Sequence, residues 1–205
     1  MYQLYYAEGS ASMGIRVLLE EIGAPYELLP TTIEMDKPRP SSQLEINPNG
    51  WVPVLVWGDR AMYEAAAITI FLGDRHPEAG LAPTFNDAGR ELYLQTLVYF
   101  SSSVQSAFQL TYYPDRFADT SETLSSAEKR GVRRLRETWG VVEQQVTGKT
   151  WVLGDRFSAA DVYLFMLTTW LSPAKNHPRL SEFPNVKRIA EAAEQRSSIA
   201  KVYLT

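Results

Sequence analysis

The chain has 205 residues, 45% hydrophobic and 21% charged, with a formal net charge of −4 and no cysteine. This is ordinary soluble-protein composition, with length for one large or two small domains. It excludes disulfides, thiolate metal sites and a cysteine nucleophile, and an acidic balance with both signs spread along the chain argues against nucleic acid as a main partner.

No apolar run reaches about 18 residues, so no segment is expected to span a membrane. Met1-Tyr2-Gln3-Leu4-Tyr5-Tyr6 lacks the basic-then-apolar pattern of a signal peptide. The expected compartment is the cytoplasm.

Residues 2–7 are aromatic and β-prone, and Glu8-Gly9-Ser10 breaks the run, which predicts a strand and a loop. Ile15, Leu18, Leu19 and Ile22 recur at helical spacing. Gly23 and Pro25 punctuate the end of that helix. Tyr26 to Leu29 reads as a second strand, completing a βαβ unit with a parallel pair. Residues 36–50, rich in Pro, Ser and Asn, read as loop with at most one short helix. Val52 to Trp57 and Ala61 to Tyr63 form two strands of a hairpin around Gly58-Asp59-Arg60. A helix follows from Glu64 to His76, with Ala65, Ile68 and Leu72 on one face.

After Pro77 the strand signal vanishes. Residues 78–87 read as a linker, and helices are predicted over 88–114, 122–147, 159–171 and 185–195. The fold class is therefore α/β plus all-α: a βαβ–ββα domain over 1–77 and a helical domain over 88–205. The basic run at 128–136 reads as a solvated helix face. His76 and His177 stand beside prolines with no acids clustered around them, so no metal is expected.

Three stretches carry chemistry. In Asn47-Pro48-Asn49-Gly50-Trp51-Val52-Pro53-Val54-Leu55, a proline at a strand start is either an ordinary trans turn or a cis bond. The cis form would offer the Val52 backbone to an antiparallel peptide. Glu64-Ala65-Ala66 opens a helix, where free N–H groups and the dipole suit a carboxylate; alternatively Glu64 is only an acid favourable to the dipole. Ser158 and Asp161 have capping-box spacing, a structural feature.

In this order and at these separations, the three stretches resemble the soluble glutathione transferases over essentially the whole chain. The resemblance implies a thioredoxin-like first domain, a cis Val52–Pro53 bond, glutathione as co-substrate and a homodimer. It implies glutathione binding at Val52, Pro53, Glu64 and Ala65. The family's Glu-Ser pair reads Glu64-Ala65 here, so a carboxylate-holding hydroxyl is missing while the Ala65 N–H remains. Trp51 stands where many relatives carry a small polar or basic residue.

Leu4-Tyr5-Tyr6-Ala7-Glu8-Gly9-Ser10-Ala11-Ser12 is similar to the bacterial branch, whose cysteine position is Ala11 here. A thiol is a good nucleophile only as the thiolate, so a hydrogen-bond donor must face the sulfur. The candidates are Ser10 and Ser12, with Tyr6 behind them. Tyr99, Ser103, Phe108 and Tyr112 are the candidate lining for a small hydrophobic electrophile, expected between the domains. Gln105 is the nearest replacement for a histidine that bacterial relatives carry on that helix. The function this implies is detoxifying conjugation of glutathione to small electrophiles. A non-catalytic glutathione-transferase-like binding protein is the alternative, and a glutathione-dependent isomerase ranks last.

Overall fold

The computed structural model describes residues Met1–Leu204, which cluster in two compact units. The first unit comprises Met1–Asp87 together with the residues from Glu194 onward, and the second Ala88–Ala193.

In the first unit, β1 (Tyr2–Tyr6), α1 (Ser12–Ile22) and β2 (Tyr26–Pro30) form the predicted βαβ unit. A short α2 (Ser41–Ile46) precedes the hairpin of β3 (Val54–Trp57) and β4 (Arg60–Tyr63), and α3 (Ala65–Arg75) closes the motif. The sheet order is β2-β1-β3-β4, with β1 parallel to β2 and antiparallel to β3. This is the thioredoxin-like arrangement. Helix α1 ends because Gly23 takes φ 69° and turns its N–H back to the Glu20 and Leu19 carbonyls. Leu4, Val17, Leu19, Leu55, Ile68 and Leu72, all fully buried, form the core between sheet and helices.

A helix not predicted from the sequence completes this unit. Helix α9 (Ser197–Tyr203) buries Ile199 and Val202. Arg196 grips Glu21 of α1 through two hydrogen bonds of 2.7 Å, and Lys201 donates to Glu20 at 2.8 Å. Burial alone would raise the Glu21 carboxyl, but Arg196 and Ser198 more than reverse this and hold it below its ordinary value.

The second unit is helical: α4 (Arg90–Tyr99), a π-helical segment over Phe100–Gln105, α5 (Ser106–Tyr112), α6 (Ser121–Gln145), α7 (Ala159–Thr168) and α8 (Pro184–Glu194). The predicted single helix over 88–114 is thus interrupted, and the hydroxyls of Ser101 and Ser102 donate to the Val98 carbonyl just ahead of the irregular turns. All ten residues of α7 are buried, as expected of a helix that is apolar on every side. The fully buried Asp161 carboxylate accepts from the Val152 N–H (2.7 Å), the Ser158 N–H (2.8 Å) and the Ser158 hydroxyl (2.8 Å). Burial pushes this carboxyl up to about 6, against the pull of those donors. His177 is likewise buried. Its Nδ1 accepts from the Ser172 N–H, which leaves Nε2 to donate to the Thr111 hydroxyl at 2.9 Å.

Helices α5 and α6 approach closely because Gly131 has no side chain. A Cβ there would stand 2.6 Å from Thr111 Cγ2 and 2.8 Å from Leu110 Cβ. Among the described residues no helix is long and apolar enough to cross a membrane. Gly131→Ala is expected to destabilise the protein by about 1–3 kcal/mol through overpacking, read as a lower denaturant midpoint; an unchanged midpoint would show that the two helices separate without cost.

Candidate functional site

Sheet register assembles the site. Tyr5 of β1 pairs with Val54 of β3, and Val54 pairs with Tyr63 of β4. One row across the sheet therefore carries the end of β1, the start of β3 and the end of β4. Ser10 and Ser12 follow β1, Val52 and Pro53 precede β3, and Glu64 and Ala65 follow β4. The pairing brings all three candidate segments to one edge of the first unit.

The Val52–Pro53 peptide bond is cis. Pro53 is buried, and Val52 lies ahead of the ladder, which begins at Val54. Two buried amides fix the loop before it: Asn47, which opens the predicted stretch, and Gln43, for which the sequence offered no role. Gln43 of α2, fully buried, donates to the Gly50 and Trp51 carbonyls at 3.1 and 3.2 Å and accepts from the Thr31 hydroxyl at 2.6 Å. Asn47, 3% exposed, donates to the Trp51 carbonyl at 3.1 Å and accepts from the Asn49 N–H. The Trp51 side chain itself is 43% exposed.

Glu64 stands at the N-terminal cap of α3 with φ 76° and ψ 110°. Positive φ at a non-glycine residue costs about 1–3 kcal/mol and persists where the surroundings enforce it. The Glu64 carbonyl accepts the Ile68 N–H at 2.9 Å, so the N–H groups of Ala65, Ala66 and Ala67 are the orphan donors of the first turn. An exposed carboxylate beside a turn of free N–H groups suits a zwitterionic amino-acid end: ammonium on Glu64, carboxylate on the helix start.

The serine loop is a closed hydrogen-bond cluster. The Ala7 N–H donates to Ser12 Oγ at 3.0 Å, and the Ser12 N–H donates to Ser10 Oγ at 3.2 Å. The two hydroxyl oxygens are 2.6 Å apart, and the Ala7 carbonyl lies 2.7 Å from Ser10 Oγ and 3.2 Å from Ser12 Oγ. Two protons thus serve three short oxygen contacts. Ser12 is fully buried, whereas Ser10 is 6% exposed. If Ser12 donates to Ser10 Oγ, the Ser10 proton is the one able to turn from Ala7 toward an incoming sulfur. The strand alternation puts Tyr5 and Tyr6 on opposite faces. Tyr5 donates to Ser42 Oγ at 2.8 Å, and the Tyr6 ring lies under the Arg16 guanidinium.

The four candidate lining residues all belong to the second unit. Tyr99 and Ser103 are half-buried. Phe108 is 2% exposed and packs edge-on against Trp170 and His177. Tyr112 is 37% exposed, with its ring 6.3 Å from Phe108 and its hydroxyl donating to the Trp170 carbonyl at 2.7 Å. Gln105 accepts from the Tyr163 hydroxyl at 2.7 Å. Among the described residues no group of three or more His, Asp or Glu side chains is arranged for a metal ion.

Residues 4–80 match the glutathione S-transferase N-terminal domain, and residues 96–196 match the glutathione S-transferase C-terminal domain. The chain belongs to the glutathione S-transferase family. Among solved structures, a glutathione transferase homologue from Sulfitobacter with bound glutathione superposes with a TM-score of 0.86 at 25% identity, covering 98% of this chain and 96% of that one. The ternary complex of BphK, a bacterial glutathione S-transferase, gives a TM-score of 0.83 at 28% identity, with the same coverage of 98% and 96%. Among curated proteins, GstA of Escherichia coli is 25% identical over 177 residues, covering 84% of each chain. The uncharacterised glutathione-transferase-like protein YncG of Escherichia coli is 28% identical over 208 residues, covering 98% of this chain and 97% of its own.

Ser12→Ala removes the acceptor of a buried backbone N–H, at an expected cost of about 1–3 kcal/mol. Chemical denaturation measures it, and an unchanged midpoint would mean that the hydroxyl is not what holds the loop.

Proposed function

We propose that this protein is a glutathione transferase that conjugates the glutathione thiolate to small hydrophobic electrophiles. The observation that carries the proposal is the convergence of the serine loop, the Val52–Pro53 turn and the Glu64 helix start at one end of the sheet's strands. The Sulfitobacter relative with bound glutathione supports it.

In this reading the peptide backbone of glutathione pairs with Val52 beside Pro53. Its γ-glutamyl ammonium meets Glu64, and its carboxylate meets the N–H groups of Ala65 and the next residues. The thiol lies at Ser10. The Ser10 hydroxyl donates to the thiolate while Ser12, behind it, donates to Ser10 Oγ and keeps that oxygen in place. The thiolate then attacks carbon, either displacing a leaving group or adding to a conjugated bond. The protein supplies position and a preorganised donor. Tyr6 is the less favoured donor, because its ring is engaged by Arg16. Tyr99, Ser103 and Tyr112, with Phe108 backing Tyr112, are the proposed lining for the electrophile. A homodimer in the cytoplasm belongs to the same proposal.

One observation favours a second reading, a non-catalytic glutathione-binding module. Ala65 offers no hydroxyl to the carboxylate, and a lost hydrogen bond to a charged group is worth about 1.5–3 kcal/mol. Calorimetry with glutathione followed by turnover of an aryl halide separates the two. The transferase reading expects binding, turnover, and a kcat/KM for Ser10→Ala about 10²-fold lower with binding retained. Binding without turnover across a broad electrophile panel would favour the module, and no binding at millimolar glutathione would contradict both.

A further inference from the structure

One cluster of polar side chains in the first unit is used neither by the proposed chemistry nor by the core. Arg16 sits one turn into α1, and its guanidinium carbon lies 5.4 Å from the centroid of the Tyr6 ring at the end of β1. Its Nε donates to the Tyr26 hydroxyl at 3.3 Å. Tyr26 in turn donates to the Glu20 carboxylate, which accepts from Lys201 of α9 at 2.8 Å. Arg16, Tyr26, Glu20 and Lys201 thus form one circuit that begins on the Tyr6 ring and ends on α9.

The circuit joins strands β1 and β2 to α1 and the last helix of the chain. Its members at the Tyr6 end lie next to the serine loop: Tyr6 leads into residues 7–12, and Arg16 leaves the same loop one turn later. The Lys201–Glu20 pair is exposed on the lysine side, and such pairs contribute little alone. The guanidinium differs, because its planar fork bonds the Tyr26 hydroxyl while it lies over the Tyr6 ring, which a lysine ammonium does not reproduce.

We propose that Arg16 is a positioning residue for the thiol-binding loop, and that the C-terminal helix α9 braces it through Tyr26 and the Glu20–Lys201 pair. Arg16 touches no reacting atom. It fixes the direction in which β1 delivers residues 7–12, and so the placement of the Ser10 hydroxyl. The catalytic consequence rests on the transferase reading; the bracing of the loop does not.

The test uses the whole chain and two readouts. Amide hydrogen exchange over residues 4–12 reads the loop with no substrate present. Arg16→Met, Arg16→Lys and Tyr26→Phe are each expected to speed that exchange about tenfold, as local opening becomes easier. Steady-state conjugation of glutathione to an aryl halide should show kcat about tenfold lower in the same variants with the glutathione KM within about twofold, the mark of misplacement and not of lost binding. Tyr26→Phe keeps the ring packing, so it remains informative if Arg16→Met does not fold. Unchanged exchange in Arg16→Lys and Tyr26→Phe overturns the proposal. Full recovery by Arg16→Lys also overturns it, reducing Arg16 to a charge, and so does a loss carried in KM. If the wild-type protein conjugates nothing, the transferase reading fails, and the exchange readout alone decides whether Arg16 positions the loop.

Discussion

The antiparallel pairing of Tyr5 with Val54, and of Val54 with Tyr63, is the constraint on which the candidate site depends. Side chains in a strand alternate with period two, so a slip of one residue would exchange the faces of a whole strand. It would also move the Val52–Pro53 turn away from the serine loop. Leu4 and Leu55 are buried on one face of the sheet and Tyr5 and Val54 on the other, and a slip would take every one of them away from its packing neighbours. Core packing and site geometry are therefore one requirement.

Around that row, buried polar groups do the fine placement. Gln43 and Asn47 hold the carbonyls of Gly50 and Trp51 and so present Val52. Ser12 takes the Ala7 N–H and leaves Ser10 as the hydroxyl nearer to solvent. Each of these side chains is worth only about 1 kcal/mol in net hydrogen-bond energy, but leaving its partner unsatisfied in the interior costs more. The loop is stiff because its polar groups have no cheaper alternative. A preorganised donor is what stabilisation of a thiolate requires.

Much of the fold was legible in the sequence because it is written in short-range signals. The periodicity of Ile15, Leu18, Leu19 and Ile22, the Gly23 stop and the hairpin turn at Gly58 gave β1 through α3 nearly in full. What stayed hidden depends on partners far along the chain. Helix α9 is held by Glu20 and Glu21, well over a hundred residues earlier, so nothing local marks residues from Glu194 onward as part of the first unit. Gly131 looks like an ordinary helical glycine until Thr111 is seen against it. The distinction between Ser10 and Ser12 could not be read from two serines in one loop, since it is a matter of burial. Gln43 carried no signal beyond being a polar residue in a polar loop; its position four residues before Asn47 on a short helix was the only available hint.

The most direct measurement is a titration of glutathione into isotope-labelled protein, followed by backbone amide chemical shifts. If the sheet register builds a thiol-peptide site, the largest changes fall together on Ser10–Ser12, on Val52 and on Ala65–Ala67, with one common dissociation constant. Changes confined to a different surface, or separate dissociation constants for the three segments, would contradict that site.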